Sequence, residues 1–169
     1  MKSHVLRAVA ILVAVFAAAC VALAQGTYPN KQINIIVGFS AGGSTDFVAR
    51  LIAEEFRKTW NVTVVVENKP GAGGNIGANM VAKAKPDGYT LLMGSVGPLA
   101  INATLYAKMP YDNVKDFVPI SQVVHVPNML VVNPAAMPAQ NFAEFLRMLK
   151  ASPGKYFFAS TGIGTSAHL

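Results

Sequence analysis

The chain has 169 residues, 53% of them hydrophobic, with a formal charge of +6 and one cysteine. From Lys31 to Lys155 the basic residues are dispersed, with only Arg57 and Lys58 adjacent, whereas a nucleic-acid reader concentrates them on one face. A single Cys excludes an internal disulfide framework, so stability has to come from a packed core.

Lys2 and Arg7 precede an apolar run from Ala8 to Ala24 that ends in Ala22-Leu23-Ala24. The run is short for a membrane span and closes on small residues, which is the layout of a signal peptide over residues 1–24, cleaved after Ala24. A rival reading takes Ala17-Ala18-Ala19-Cys20 as a degenerate lipoprotein signal, with Cys20 acylated and holding the protein on a membrane. Cleavage after residue 24 leaves 145 of the 169 residues and removes Lys2 and Arg7, taking the charge from +6 to +4. A mild positive balance favours encounter with anionic small molecules.

Ile33-Asn34-Ile35-Ile36-Val37 is a β-branched run of strand length closed by Gly38, and it reads as a buried central strand. Ser44 to Lys58 places Phe47, Val48, Leu51, Ile52 and Phe56 at helical spacing, which predicts an amphipathic helix after a glycine-rich loop. Val62 to Val66 predicts a second strand, Pro70 to Gly77 a second glycine-rich turn, and a helix follows to about Lys85 with Ile76, Met80, Val81 and Ala84 as its apolar face. Pro86-Asp87-Gly88 stops it, and Tyr89 to Met93 predicts a third strand. Alternating strand, loop and helix is the pattern of a parallel sheet covered by helices, so the fold class is α/β.

Beyond Ser95, Pro98, Pro110, Pro119 and Pro127 punctuate a connecting region with one short helical stretch, Ala100 to Tyr106. Met129 to Asn133 predicts a strand. Asn141, with Glu144 three residues on, opens a helix whose buried stripe is Phe142, Phe145, Leu146 and Leu149. Tyr156 to Ala159 predicts another strand, and Ser160 to Thr165 a third glycine-bearing loop resembling a strand-to-helix turn.

The strongest chemical signal is Gly38-Phe39-Ser40-Ala41-Gly42-Gly43-Ser44-Thr45-Asp46, between a buried strand and a helix. Glycines bring backbone N–H groups close to a ligand, and the helix start adds unpaired N–H groups and partial positive charge, so the loop suits an anion. Ser40, Ser44 and Thr45 add hydroxyl donors. Asp46 either holds a ligand amine or water, orients the loop by accepting its amides, or merely sits in the first helical turn with Ser44 as cap.

Gly71-Ala72-Gly73-Gly74-Asn75-Ile76-Gly77 invites a dinucleotide-binding reading, but residue 76, where the third glycine belongs, is Ile, and no acidic residue follows at the required distance. A tight turn packing helix on strand fits these glycines better. Neither loop carries a P-loop, and Ser160-Thr161-Gly162-Ile163-Gly164 is not a nucleophile elbow. His125 has no acidic residue in its own segment and His168 is next to the chain end, and no His, Asp or Glu spacing suggests a metal. The residues imply no enzyme, no cofactor and no metal.

As a set these motifs resemble the solute-binding receptors of tripartite tricarboxylate transporters, the Bug-type family. The matching stretches are Tyr28-Pro29, Ile35 to Asp46, Ala49-Arg50, Val65 to Gly74 with Ile76-Gly77, Ala84 to Leu92, Tyr111-Asp112 with Asp116-Phe117, and Ser152 to Lys155 through Ser160, Gly164-Thr165 and His168-Leu169. The resemblance implies a two-lobed, type II periplasmic-binding-protein-like fold. Residues 25–125 would be the first α/β lobe and 126–169 the start of a second lobe within which the chain is truncated, leaving a weakened binder. It implies a small carboxylate held by Ser40, Ala41, Gly42, Gly43, Ser44, Thr45 and Asp46, with Ser95 and Val96 at the cleft wall. Ser160, Gly162, Gly164, Thr165 and His168 would close from the second lobe. The expected setting is the periplasm, as a monomer engaging membrane subunits of a tripartite transporter. The alternatives are a receptor reporting to a membrane sensor kinase, or a nucleotide-using α/β enzyme.

Overall fold

The structure, a computed structural model, describes residues 27–169; the expected signal segment and Cys20 lie outside the described residues. Strand β1 (Ile33–Val37) is the centre of a three-stranded parallel sheet of order β2-β1-β3, flanked by β2 (Val64–Asn68) and β3 (Thr90–Met93). Ile33 pairs with Val64 and Val37 with Asn68 on one side, while Asn34 pairs with Thr90 and Val37 with Met93 on the other. Covered on both faces, β1 buries Ile33, Ile35, Ile36 and Val37, as a near-continuous apolar run in a parallel sheet should. The chain leaves β1 for β2 on one side and crosses to β3 on the other, so β1 borders the switch point outside the carboxyl edge where α/β folds take ligands.

Helix α1 (Ser44–Trp60) covers one face and ends on Asn61 in the left-handed conformation, φ 51°. Its buried face is only partly the expected one. Asp46, Ala49 and Ala53 are buried, with Ile52 and Phe56 packed beside them, whereas Phe47 is 63% exposed and Leu51 is also outside. Alanines at the contact let the helix lie close to Ile33, Ile35, Val37 and Val64, and that approach sets its rotation. A 3₁₀ turn (Ala72–Gly74) leads into α2 (Asn75–Ala82), which is shorter than expected and buries Asn75, Gly77 and Ala78 while Ile76 and Met80 face outward. A Cβ on Gly77 would lie 2.9 Å from Gly38 Cα, so this glycine does pack helix on strand.

After β3 a π-helical turn (Gly97–Ile101) runs into the one-turn α3 (Asn102–Leu105), replacing the expected helix from Ala100 to Tyr106. Helix α4 (Phe142–Ala151) begins as the sequence predicts: Asn141 Oδ1 accepts the Glu144 amide at 3.0 Å, and Glu144 Oε2 accepts the Gln140 amide at 2.9 Å. No α4 residue is buried, however, so the stripe of Phe142, Phe145, Leu146 and Leu149 faces no core among the described residues. The expected strands Met129–Asn133 and Tyr156–Ala159 form no ladder among the described residues; both lack regular secondary structure, and Phe157 is 94% exposed. A strand exists only with a hydrogen-bonded neighbour, and none lies beside these segments among the described residues.

Candidate functional site

Three glycine-rich loops converge at the carboxyl edge of the sheet. The first leaves β1 at Gly38, where a Cβ would stand 2.8 Å from Gly74 O, so the first two loops touch through bare backbone. The chain then turns at Ala41 and Gly42 (φ 88°) and enters α1 through Gly43 in an extended conformation, φ −79° and ψ 170°, with no side-chain cap. Ser44 is the first helical residue and does not cap. The N–H groups of Ser44 and Thr45 accordingly have no acceptor within the helix.

What holds this turn is Asp46, 3% exposed. Its Oδ2 accepts the Arg50 Nε at 3.0 Å and the Gly42 amide at 2.9 Å; its Oδ1 accepts the Asn68 Nδ2 at 3.0 Å and lies 2.9 Å from Arg50 Nη2. Asn68 Nδ2 also reaches Phe39 O at 3.0 Å, pinning both ends of the turn to β2. Hydrogen bonds from Arg50, Gly42 and Asn68 hold the Asp46 carboxyl well below the usual carboxylate range. Of the three roles the sequence leaves open, this is the second: Asp46 orients the loop. All four of these contacts to its oxygens are made within the chain. Arg50 and Asn68 had no assigned role in the sequence, because only the register puts Asn68 opposite Val37 and next to Asp46.

The second loop carries Gly71, Gly73 and Gly74 at φ 132°, 62° and 96°, and it does more than pack. With Gly38, Phe39 and Ser40 on one side and Tyr106, Thr161, Gly162 and Ile163 on the other, Pro70–Gly74 lines a cavity of about 350 Å³. That is the lower end of the range for small-molecule sites, roughly 300–1,000 Å³. Of the residues expected at the site, Ser40 and Gly162 line this cavity. Ala41, Gly42, Gly43, Ser44 and Thr45 form the turn adjoining Ser40, outside the lining. Ser95 and Val96 lead into the π-helical turn, where Ser95 O accepts the Leu99 amide. The sequence reads Pro70–Gly74 as a packing turn and gives Tyr106 no role; only the fold brings the two to one cavity.

In the third loop Ser160 Oγ and His168 Nδ1 are 3.0 Å apart, and Ser160 Oγ also accepts the Gly162 amide at 3.3 Å. No carboxylate orients this imidazole among its hydrogen-bond partners, so the pair closes the loop on itself and lacks the third member of a nucleophilic triad. Thr165 Oγ1 donates to Gly162 O at 2.7 Å and accepts from Thr161 Oγ1 at 3.1 Å.

Behind the cavity lies a buried polar network. Asn102 Nδ2 donates to Asn75 Oδ1 at 2.7 Å and to Gly73 O at 3.4 Å, and the Tyr111 hydroxyl lies 2.9 Å from Asn75 Oδ1 and 2.8 Å from Pro98 O. Burial pushes the Tyr111 pKa up to about 12, so it remains a neutral donor. Asn102 is 0% exposed, yet its Oδ1 has no hydrogen-bond partner. Such an orphan acceptor costs about 1–3 kcal/mol.

Sheet order, a cavity at the carboxyl edge and glycine-rich strand-to-helix turns are features of an α/β binding fold, and the solved structures it resembles are those of periplasmic binding proteins. Over 83% of this chain it superposes, at TM-score 0.79 and 35% identity, on 47% of an R. palustris protein solved with adipate. It superposes likewise on periplasmic binding protein BugD, at TM-score 0.69 and 36% identity over 83% of this chain and 46% of that one. For MatC from Rhodopseudomonas palustris with bound malate the TM-score is 0.68 at 35% identity, covering 73% of this chain and 42% of that one. Residues 48–169 match the tripartite tricarboxylate transporter family receptor, and the chain belongs to this family. Protein BugT of Bordetella pertussis is 42% identical over 144 residues, 85% of this chain and 44% of BugT. The chain spans less than half the length of the curated relatives it matches.

Proposed function

We propose that the chain forms the ligand-docking part of an extracytoplasmic receptor that captures a small carboxylate for a tripartite transporter. The observation that carries this reading is the Asp46 anchor. By taking the Gly42 amide and bracing the turn on Arg50 and Asn68, it fixes the head of α1 beside the cavity, with the Ser44 and Thr45 amides unused by the helix. A carboxylate seated there receives backbone N–H groups, the Ser40, Ser44 and Thr45 hydroxyls and the positive end of a 17-residue helix. The solved relatives carrying adipate and malate are consistent with this ligand class. Ser160, Gly162, Gly164, Thr165 and His168 belong to the opposing wall, which swings over the ligand, and Ser95 and Val96 border the cleft. Capture needs no bond-making step; the closed form is the one presented to membrane subunits in the periplasm.

The competing class is a nucleotide-using α/β enzyme, so a thermal-shift screen should pit adipate and malate against ADP and NAD. A ligand of the folded state raises its melting temperature as concentration passes Kd. The carboxylates are expected to raise it and the nucleotides to leave it unchanged. Stabilisation by nucleotides alone would overturn the receptor reading.

A further inference from the structure

The third loop stands against the second on bare backbone. A Cβ on Gly73 would overlap Ile163 O, and one on Gly97 would lie 2.6 Å from Gly164 O and 3.3 Å from Gly73 O, where ordinary contact begins at 3.4 Å. Gly97 is buried in the π-helical turn and does not line the cavity, whereas Gly73, Gly162 and Ile163 do. The missing side chain at 97 therefore sets how near the Gly162–Ile163 wall stands to the Pro70–Gly74 wall.

Both sides of this contact are braced. On one, Asn102 is 0% exposed and donates to Asn75 Oδ1 at 2.7 Å and to Gly73 O at 3.4 Å. On the other, the Thr165 hydroxyl donates to Gly162 O at 2.7 Å and accepts from Thr161 Oγ1 at 3.1 Å, which ties residues 161–165 into one piece. Added volume at 97 is then passed on to the wall instead of being absorbed beside it, as close-packed interiors transmit strain.

We infer that Gly97 is a positioning residue that sets the width of the cavity, and with it the girth of the carboxylate the site accepts, from outside the lining. This rests on the carboxylate-receptor reading. Gly97 lies outside the left-handed region that Gly73 (φ 62°) and Gly164 (φ 86°) occupy, so Gly97→Ala adds volume without backbone strain.

The test is isothermal titration of the whole chain with adipate and with a methyl-branched adipate, for wild type, Gly97→Ala and Ala53→Gly. Ala53, 0% exposed in the core under α1, is remote from the lining, so its glycine variant lowers stability and leaves the walls in place. Gly97→Ala should raise the branched-to-linear affinity ratio about tenfold, roughly what one methylene decides in an apolar pocket, while Ala53→Gly leaves it unchanged. A ratio unmoved in folded Gly97→Ala, or moved equally by Ala53→Gly, overturns the assignment and leaves the receptor reading standing. Wild type that binds neither acid overturns both. Should Gly97→Ala fail to fold, wild type decides alone: it should bind the branched acid about tenfold more weakly than adipate, and equal affinity overturns the assignment.

Discussion

Asp46 spends its two oxygens on Arg50, Gly42 and Asn68, and each bond favours the charged form. Its folded-state pKa therefore lies below the ordinary value of about 3.9, and the stabilisation it supplies is fully present above that value. It is lost as pH falls from about 4 toward the depressed folded value, because the unfolded chain takes up the proton first. Asp46→Asn should flatten the acid side of the stability profile, which chemical denaturation at pH 7, 4 and 3 would reveal; an unchanged acid-side slope would contradict the anchor. The glycine at 77 gives a second prediction. Alanine there meets Gly38 Cα at 2.9 Å and Gly38 N at 3.2 Å, both backbone atoms. Gly77→Ala should cost about 1–3 kcal/mol by forcing α2 off the sheet, measurable as a lower denaturation midpoint.

At the scale of elements, what was readable in the sequence was what local chemistry decides. The β-branched run Ile33–Val37, the Asn141 cap with Glu144, and the glycine-rich turn before α1 carry their signal in adjacent residues, and each is found where it was expected. The rotation of α1 was not readable, because Ala49 and Ala53 look unremarkable until the sheet's close approach selects them over Phe47 and Leu51. Nor was the cavity, since Ser40, Pro70–Gly74, Tyr106 and Thr161–Ile163 come from four separate stretches. Replacing Asn141 with Ala should lower the helicity of α4 with a loss of about 0.5–2 kcal/mol locally, seen as faster amide exchange at Phe145 to Leu149. No residue of this helix is buried among the described residues, so the cap carries a larger share of its stability.

Across the whole molecule the described chain is uneven. Residues 33–93 build the sheet and its core, whereas Val118, Ile120, Met129, Leu130, Val131, Phe157 and Phe158 are exposed. So much exposed apolar side chain on backbone with no sheet partner among the described residues favours association. The chain should bind a hydrophobic dye such as ANS at neutral pH, and light scattering should show self-association rising with concentration. A dye-silent, strictly monomeric chain at high concentration would mean that these segments are covered. The sequence predicted strands in two of these segments, and the missing element was the partner, which β-propensity does not report.

Adipate binding to wild type and to Ser44→Pro, compared by isothermal titration, bears most directly on the proposed carboxylate seat. Gly43 is already extended at φ −79° and ψ 170°, as the residue before a proline should be, and the first helical position tolerates proline. The substitution therefore deletes one N–H and one hydroxyl and leaves the helix, and Ser44→Ala isolates the hydroxyl. Losing a hydrogen bond to a charged group costs about 1.5–3 kcal/mol, so affinity should fall about tenfold to a hundredfold at an unchanged melting temperature. Undiminished adipate binding by a folded Ser44→Pro chain would contradict the account.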